Sequence, residues 1–345
     1  MKRIAAFAIA LTVVFGGTAY LPCTVSDSTI IASADTSQGG FVVSKKGDGT
    51  CTVTGFVGKS ENVEIPAQIF GLTVTEIGEN AFLFNENMKT LVIPDTVKVI
   101  RKGAFSNCYE LTTVKVGKGV EIMEDKAFFD CTKLASINIP ENTMYLGRLC
   151  FAESSLKSVT MPRNDCVLGD QLFSGCTKLE TLILPSKLFT IPQLMCYNCS
   201  SLKNVTIPES VCSIADGAFR GCSSLKTLNI PAAVQVVGDY AIGFDLNSNK
   251  VSGFTAKVIA GTAGETYVKK YGLNYTYGSG GSLKGDVNGD GLVNITDVSK
   301  CAAHIKGKKL LDSAAQARAD VNGDGKINIT DVTKIAAQVK GKKKL

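Results

Sequence analysis

The strongest constraint in this chain is a repeat. Phe82, Phe105, Phe128 and Phe151 stand 23 residues apart, Phe173 follows after 22, and Cys196, Phe219 and Ile242 return to the interval of 23. Pro94, Pro140, Pro162, Pro185, Pro208 and Pro231 keep the same beat, with Gly117 in the place of a missing proline. So do Cys108, Cys131, Cys176, Cys199 and Cys222, with Ser154 in the gap. Such agreement in one register marks a repeat architecture. Within one unit, Leu111-Thr-Thr-Val114-Lys-Val116 alternates apolar and polar residues as a short strand does, and Pro or Gly then stops it. Val120, Ile122, Ala127 and Phe128 supply more core, and Cys131 closes a turn before Leu134 restarts the cycle. One unit cannot bury its apolar face alone. Stacked units share a core, which predicts a solenoid with a parallel sheet on one face. Its rungs, at about 4.8 Å each, make a sheet on the order of 40 Å long.

The pattern L-x-x-V-x-I-P, V-x-x-I, A-F-x-x-C-x-x-L resembles the bacterial BspA-like leucine-rich repeats. Gly49-Thr-Cys-Thr-Val-Thr, Ile65-Pro66, Gly71, Ile77-Gly78 and Ala81-Phe82 resemble the N-terminal cap of that family. The likeness covers about residues 40–277 and departs at Cys196 and Ile242, where Phe is expected. The cysteines of the column are then expected to be small buried hydrophobes. A disulfide stays open where two fall close, Cys196 with Cys199. Residues 255–277 read as strand, short helix and strand, closing the stack, with Gly272 stopping the helix. Gly278-Ser-Gly-Gly-Ser282 reads as a flexible linker.

Composition restricts the chemistry. The chain has one His and no Trp. Any Ser-His-Asp or Cys-His arrangement would have to use His304, and a His-based zinc site is excluded on the same ground. The outward strand positions form two columns, Thr113, Ser136, Ser158, Thr181, Asn204, Thr227 and Lys115, Asn138, Thr160, Ile183, Thr206, Asn229. Neither holds the carboxylate pair that glycoside hydrolysis requires. Both a polar docking surface for a glycan or protein and a plain solvated face remain open. A secretory signal is expected over residues 1–34, because Lys2 and Arg3 precede an apolar run over residues 4–21 and a small-residue site, Ala32-Ser33-Ala34. No other membrane span is expected. Residues 284–345 carry 12 Lys and Arg against 7 Asp and Glu. The excess sits in short runs without interleaved aromatics, which argues against nucleic acid.

The second informative feature is at the C-terminal end. Asp286-Val-Asn-Gly-Asp-Gly-Leu-Val-Asn-Ile-Thr-Asp297 is matched 34 residues later by Asp320-Val-Asn-Gly-Asp-Gly-Lys-Ile-Asn-Ile-Thr-Asp331. Side-chain oxygens stand at positions 1, 3, 5, 9 and 12 and glycine at 6, the pattern of a calcium loop. The expected ligands are Asp286, Asn288, Asp290, Asn294 and Asp297, with the carbonyl of Leu292, and Asp320, Asn322, Asp324, Asn328 and Asp331, with the carbonyl of Lys326. Two Ca2+ ions are therefore expected. The first loop lacks an entering helix, and position 12 is Asp rather than Glu. Both features resemble dockerins, the modules that plug cellulosomal proteins into cohesins on a scaffoldin. That resemblance implies cohesin contacts at Ile295, Thr296, Ala302 and Ala303 and at Ile329, Thr330, Ala336 and Ala337, with Lys306 and Lys340 as a polar rim. Because the two sets are identical, two binding orientations are expected. Val298, Cys301 and Ile305, with Val332, Ile335 and Val339, are expected as the helical core stripe.

The expected architecture is thus an α/β-type leucine-rich repeat solenoid followed by a small all-α calcium-binding dockerin. The expected boundaries are 1–34 signal, 35–254 solenoid with N-terminal cap, 255–277 C-terminal cap, 278–283 linker and 284–345 dockerin. The two resemblances together imply a secreted, non-catalytic cellulosome component. An enzyme acting on plant cell-wall polysaccharide or protein from the solenoid loops, and a spacer with no second ligand, are the competing readings.

Overall fold

The computed structural model describes residues 30–32, 40–163, 165–278, 284–289 and 293–341. The apolar run of residues 4–21, Ser33-Ala34 and the Ser279-Gly-Gly-Ser282 part of the linker lie outside the described residues.

Each repeat contributes two short strands, so two parallel ladders run along the stack. The first contains Asn62–Glu64, Thr90–Val92, Thr113–Lys115 and Ser136–Ile137, then Ser158–Thr160, Thr181–Ile183 and Asn204–Val205, then Thr227–Asn229, Thr255–Val258 and Tyr275–Tyr277. These are the alternating segments foreseen from the sequence. The second ladder was not foreseen as strand. It joins Leu72–Ile77, Val99–Ile100, Ile122–Met123, Tyr145–Leu146 and Val167–Leu168, and continues through Thr190–Ile191, Ser213–Ile214 and Val236–Val237. Two-residue strands are too short to show an alternation of their own. Turns close the third side, and no rung contains an α-helix among the described residues. The solenoid is therefore built from sheet and turn.

The repeated residues form continuous columns inside. Phe82, Phe105, Phe128, Phe151 and Phe173 stack with ring centroids 4.8, 5.1, 5.8 and 5.7 Å apart, close to the strand spacing of a sheet. The stack ends where Cys196 takes the place of Phe. The cysteine column is bonded to it. Each thiol donates to the carbonyl of the residue that holds the aromatic position one rung earlier: Cys108 to Phe82 at 3.2 Å, Cys131 to Phe105 at 3.1 Å, Cys176 to Phe151 at 3.2 Å, Cys199 to Phe173 at 3.1 Å and Cys222 to Cys196 at 3.2 Å. The described cysteines are all free, Cys196 and Cys199 included. Burial pushes up the thiols of Cys131, Cys150, Cys176, Cys196 and Cys222, and that of Cys166 to about 12.

Both ends are capped. The antiparallel hairpin Phe41–Lys45 and Thr50–Phe56 covers the first rung and pairs in parallel with Leu72–Ile77. Ile30–Ala32 adds an antiparallel edge strand to it. At the far end stand the expected strand, helix and strand, the helix being α1 (Ala263–Tyr271), stopped by Gly272 at φ 59°. Along the stack, the N–H at the Phe position bonds to a carbonyl of the next rung: Phe128 to Cys150, Cys196 to Ala218, Phe219 to Ala241. Ile242 has no next rung. The Tyr267 hydroxyl takes over, accepting from the Ile242 N–H at 3.0 Å and donating to its carbonyl at 2.9 Å.

The C-terminal module holds three helices, α2 (Ile295–Ile305), α3 (Ser313–Ala319) and α4 (Ile329–Val339), with α2 packed against α4. Its core is Val287, Cys301, Ala319, Val321 and Ile335, with Val298 and Val332 packed against it. Ile305 and Val339 were expected in that core and are not, at 41% and 38% exposure. They lie in the last turn of each helix.

Candidate functional site

The two loops and their helices are built alike. Asn294 and Asn328, at loop position 9, are the N-caps of α2 and α4, each side chain accepting from the N–H two residues on, Thr296 at 2.7 Å and Thr330 at 2.8 Å. Asp297 and Asp331, at position 12, accept in return from the Asn294 and Asn328 N–H groups at 2.9 and 3.0 Å. Each pair is a capping box, which offsets the unpaired donors of a helix start. Expected ligand positions 9 and 12 are therefore also the residues that start the helices.

The remaining oxygens fold each loop back on itself. In the first, the buried Asp286 accepts from Gly289 N–H at 2.7 Å, and the buried Asp297 also accepts from Asn288 N–H at 2.9 Å. Asp290 and Leu292 lie outside the described residues. In the second, Asp320 accepts from the Gly323 and Gly325 N–H groups at 2.8 and 2.9 Å, and Asp331 accepts from Val321 N–H at 3.1 Å. The Lys326 N–H and then the Asn322 amide hold the Asp324 carboxyl below its usual range. Gly323 and Gly325 stand at φ 76°, a turn that side chains other than glycine resist. Among the described residues no three His, Cys, Asp or Glu side chains converge as a metal cluster; the carboxylates hold backbone N–H groups. The donors nevertheless fit a hard cation. They are oxygens without exception, and a carboxylate has lone pairs left after accepting these bonds.

The expected contact residues fall on one surface in two copies. Ile295 and Ile329 are 66% and 70% exposed. Thr296 and Thr330 beside them are exposed, and Ala302, Ala303, Ala336 and Ala337 are half-buried. Lys306 and Lys340 are the exposed C-caps of α2 and α4. One positioning residue escaped the sequence reading. Arg318, on α3, donates to the Asp286 carbonyl at 2.7 Å, and its own carbonyl accepts from Gly285 N–H at 2.7 Å. It ties the first loop to the helix that enters the second. No local pattern announces a contact between residues 32 apart.

On the solenoid, Thr113, Ser136, Ser158, Asn204 and Thr227 are exposed as expected, and Thr181 is half-buried. A shallow groove of about 600 Å³ runs past Thr181, Ile183, Asn204, Thr206 and Thr227. The register brings Asn62 and Glu64 onto the same columns, so among the described residues these columns hold one carboxylate and not a pair. The second ladder presents Met144, Val167, Phe189 and Val236, all more than half exposed. No described helix is long and apolar enough to cross a membrane.

Comparison with known proteins agrees with this geometry. The model of the BspA type leucine rich repeat region matches residues 59–180 and 131–251, in six copies. The model of the dockerin type I domain matches residues 284–340. No curated protein matches. Among solved structures, the chain is 21% identical to a leucine-rich repeat protein of T. pallidum, covering 69% of this chain and 96% of that one with a TM-score of 0.46. It is 22% identical to a leucine-rich repeat protein of Bacteroides ovatus, covering 69% and 71% with a TM-score of 0.44. Neither matched family model is a catalytic module.

Proposed function

Because the chain belongs to the BspA type leucine rich repeat family and ends in a dockerin type I module, we propose that it is a secreted, non-catalytic cellulosome subunit. Its dockerin attaches it to a cohesin of a scaffoldin, and its solenoid presents a docking surface. The boundaries assigned are 1–34 signal, 35–254 solenoid, 255–277 cap, 278–283 linker and 284–345 dockerin.

The observation that carries this reading is the pair of matched loop-helix units, each showing a bare isoleucine at its helix start. A large aliphatic side chain left two-thirds exposed twice, at equivalent positions, fits an apolar partner surface. Dockerin type I modules bind calcium, and we assign one ion to each loop. Asp286, Asn288, Asp290, Asn294 and Asp297, with the Leu292 carbonyl, would hold the first, and Asp320, Asn322, Asp324, Asn328 and Asp331, with the Lys326 carbonyl, the second. A bound cation would neutralise carboxylates gathered in a small module with little core of its own. The chain's own part is to orient those oxygens through the two capping boxes. Docking then uses Ile295, Thr296, Ala302 and Ala303 in one orientation, or Ile329, Thr330, Ala336 and Ala337 in the other, with Lys306 or Lys340 at the rim.

The test is capture of the full chain on an immobilised type I cohesin, with calcium and with excess chelator. Capture in calcium and release in chelator is expected. Equal capture in both conditions, or in neither, would refute the reading.

A further inference from the structure

One exposed aromatic residue occupies a backbone position that its counterparts give to other residue types. The turn after each Phe of the core column places one residue at positive φ. Its occupants are Asn107, Asp130, Glu153, Gly175, Asn198 and Gly221, at φ between 56° and 84°. In the first rung the occupant is Phe84, at φ 58° and 56% exposed. Asn, Asp and Gly tolerate this region, whereas a bulky aromatic is strained there. The Phe84 N–H bonds to the Ser106 carbonyl at 3.1 Å, as the Asn107 N–H does to Phe129 at 2.8 Å, so the ladder holds the strained conformation. Phe70 and Tyr240 also hold rings at positive φ, at 53° and 51°, but are 39% and 36% exposed, so it is the greater exposure of the Phe84 ring that singles it out.

The surroundings define what it is displayed for. Phe84 borders a cleft of about 320 Å³ that Lys59, Glu86 and Asn87 also line. Among the described residues, the Lys59 ammonium, the Glu86 carboxylate and the Asn87 side-chain amide make no hydrogen bond or ion pair. The Tyr109 ring extends the aromatic surface, its centroid 6.5 Å from that of Phe84, and Asn107 Nδ2 donates to its hydroxyl at 2.9 Å. An apolar peptide side chain laid here would cover the amide, carboxylate and ammonium without pairing them, which is unfavourable. A pyranose ring suits both parts. Its C–H face stacks on an aromatic ring, and its hydroxyls donate and accept. Lys59 and Glu86 bring opposite charges, which suits a neutral sugar.

From this juxtaposition we infer that the cleft beside Phe84 is a binding site for a neutral polysaccharide, separate from the strand columns and from the dockerin. It names a ligand class for the docking role proposed for the solenoid. The experiment is native gel electrophoresis of the full chain in calcium, with hydroxyethyl cellulose, xylan or galactomannan cast into the gel. Retardation by at least one polymer is expected. Phe84→Asn installs the residue type other rungs carry, so its thermal midpoint should equal or exceed that of the parent, while polymer affinity falls at least tenfold. Asn87→Ala removes a side chain without protein partners and should weaken retardation at unchanged midpoint. Failure of every polymer to retard the parent chain would overturn the inference, as would full retardation of Phe84→Asn or a midpoint several degrees lower in that variant. Cohesin capture should be the same in all three proteins, so loss of the polysaccharide result leaves the anchoring reading standing or falling by its own assay.

Discussion

Tyr267→Phe should loosen the C-terminal end of the solenoid by an amount that its geometry sets. Among the described residues the hydroxyl is the sole partner of two buried backbone groups, the N–H and the carbonyl of Ile242, at 3.0 and 2.9 Å. Tyr267 is 3% exposed and Ile242 fully buried, so water does not replace the lost oxygen without opening the cap. Each orphaned buried group costs about 1–3 kcal/mol, giving about 2–6 kcal/mol for the pair. Tyr271→Phe is the control. Its hydroxyl donates to the exposed Asp239 carboxylate at 2.6 Å, where water replaces the lost donor and screening holds the loss to about 1 kcal/mol. In a stacked array the damage stays near the broken interface. Hydrogen exchange at the Ile242 amide should therefore accelerate, while the Phe128 amide, bonded to Cys150 at 2.9 Å, keeps its protection. Urea unfolding supplies the free energy. A Tyr267→Phe chain within about 0.5 kcal/mol of the parent, with unchanged exchange at Ile242, would refute the reasoning that this hydroxyl replaces a missing rung.

The other predictions address the columns and the C-terminal module. Phe128→Ala removes a fully buried ring stacked on both sides and should cost about 3–5 kcal/mol in urea unfolding; Phe128→Leu should cost much less. The native chain should resist a thiol reagent except at Cys212, the one described cysteine that is partly exposed, and should react throughout once unfolded. Since burial raises Cys166 from 9.0 to about 12, the folded state holds that proton where the unfolded chain releases it. Stability from this source is complete below pH 9 and falls as pH rises from 9 toward 12, so a urea midpoint that climbs over that range would contradict it. Exchanging Ile295-Thr296 alone should leave cohesin affinity within a few-fold, and changing Ile329-Thr330 as well should abolish it; calorimetry on the single variant decides whether two orientations exist. Chelator should remove the helical circular dichroism of the C-terminal module, and an unchanged spectrum would count against calcium-dependent folding.

The proposed cohesin anchoring and presented solenoid would explain why the chain carries two unlike kinds of repetition. The 23-residue period builds length, since each rung needs only its neighbours. The 34-residue duplication builds two alike loop-helix units. Among the described residues nothing within the module covers Ile295 and Ile329.

Much of this was legible in one dimension because the same physics recurs at a fixed interval. Residues stacked 23 apart meet the same neighbours, so Phe, Cys and Pro recur in register and reveal the solenoid. Alternating oxygens around a glycine reveal the two loops, because a hard cation and a tight turn demand those residue types locally. Phe84 could have been found the same way, as an aromatic at the head of a column that continues Asn107, Asp130, Glu153, Gly175, Asn198 and Gly221. The rest depended on residues brought together across the chain. After Leu72–Ile77 the second ladder consists of two-residue strands too short to alternate, and only pairing between rungs makes them sheet. Tyr267 matters because the stack ends at Ile242, and Arg318 because α3 lies beside the first loop. Ile305 and Val339 satisfy the helical stripe yet stay exposed, since a period states which face a residue shares and packing alone decides which members of that face are covered.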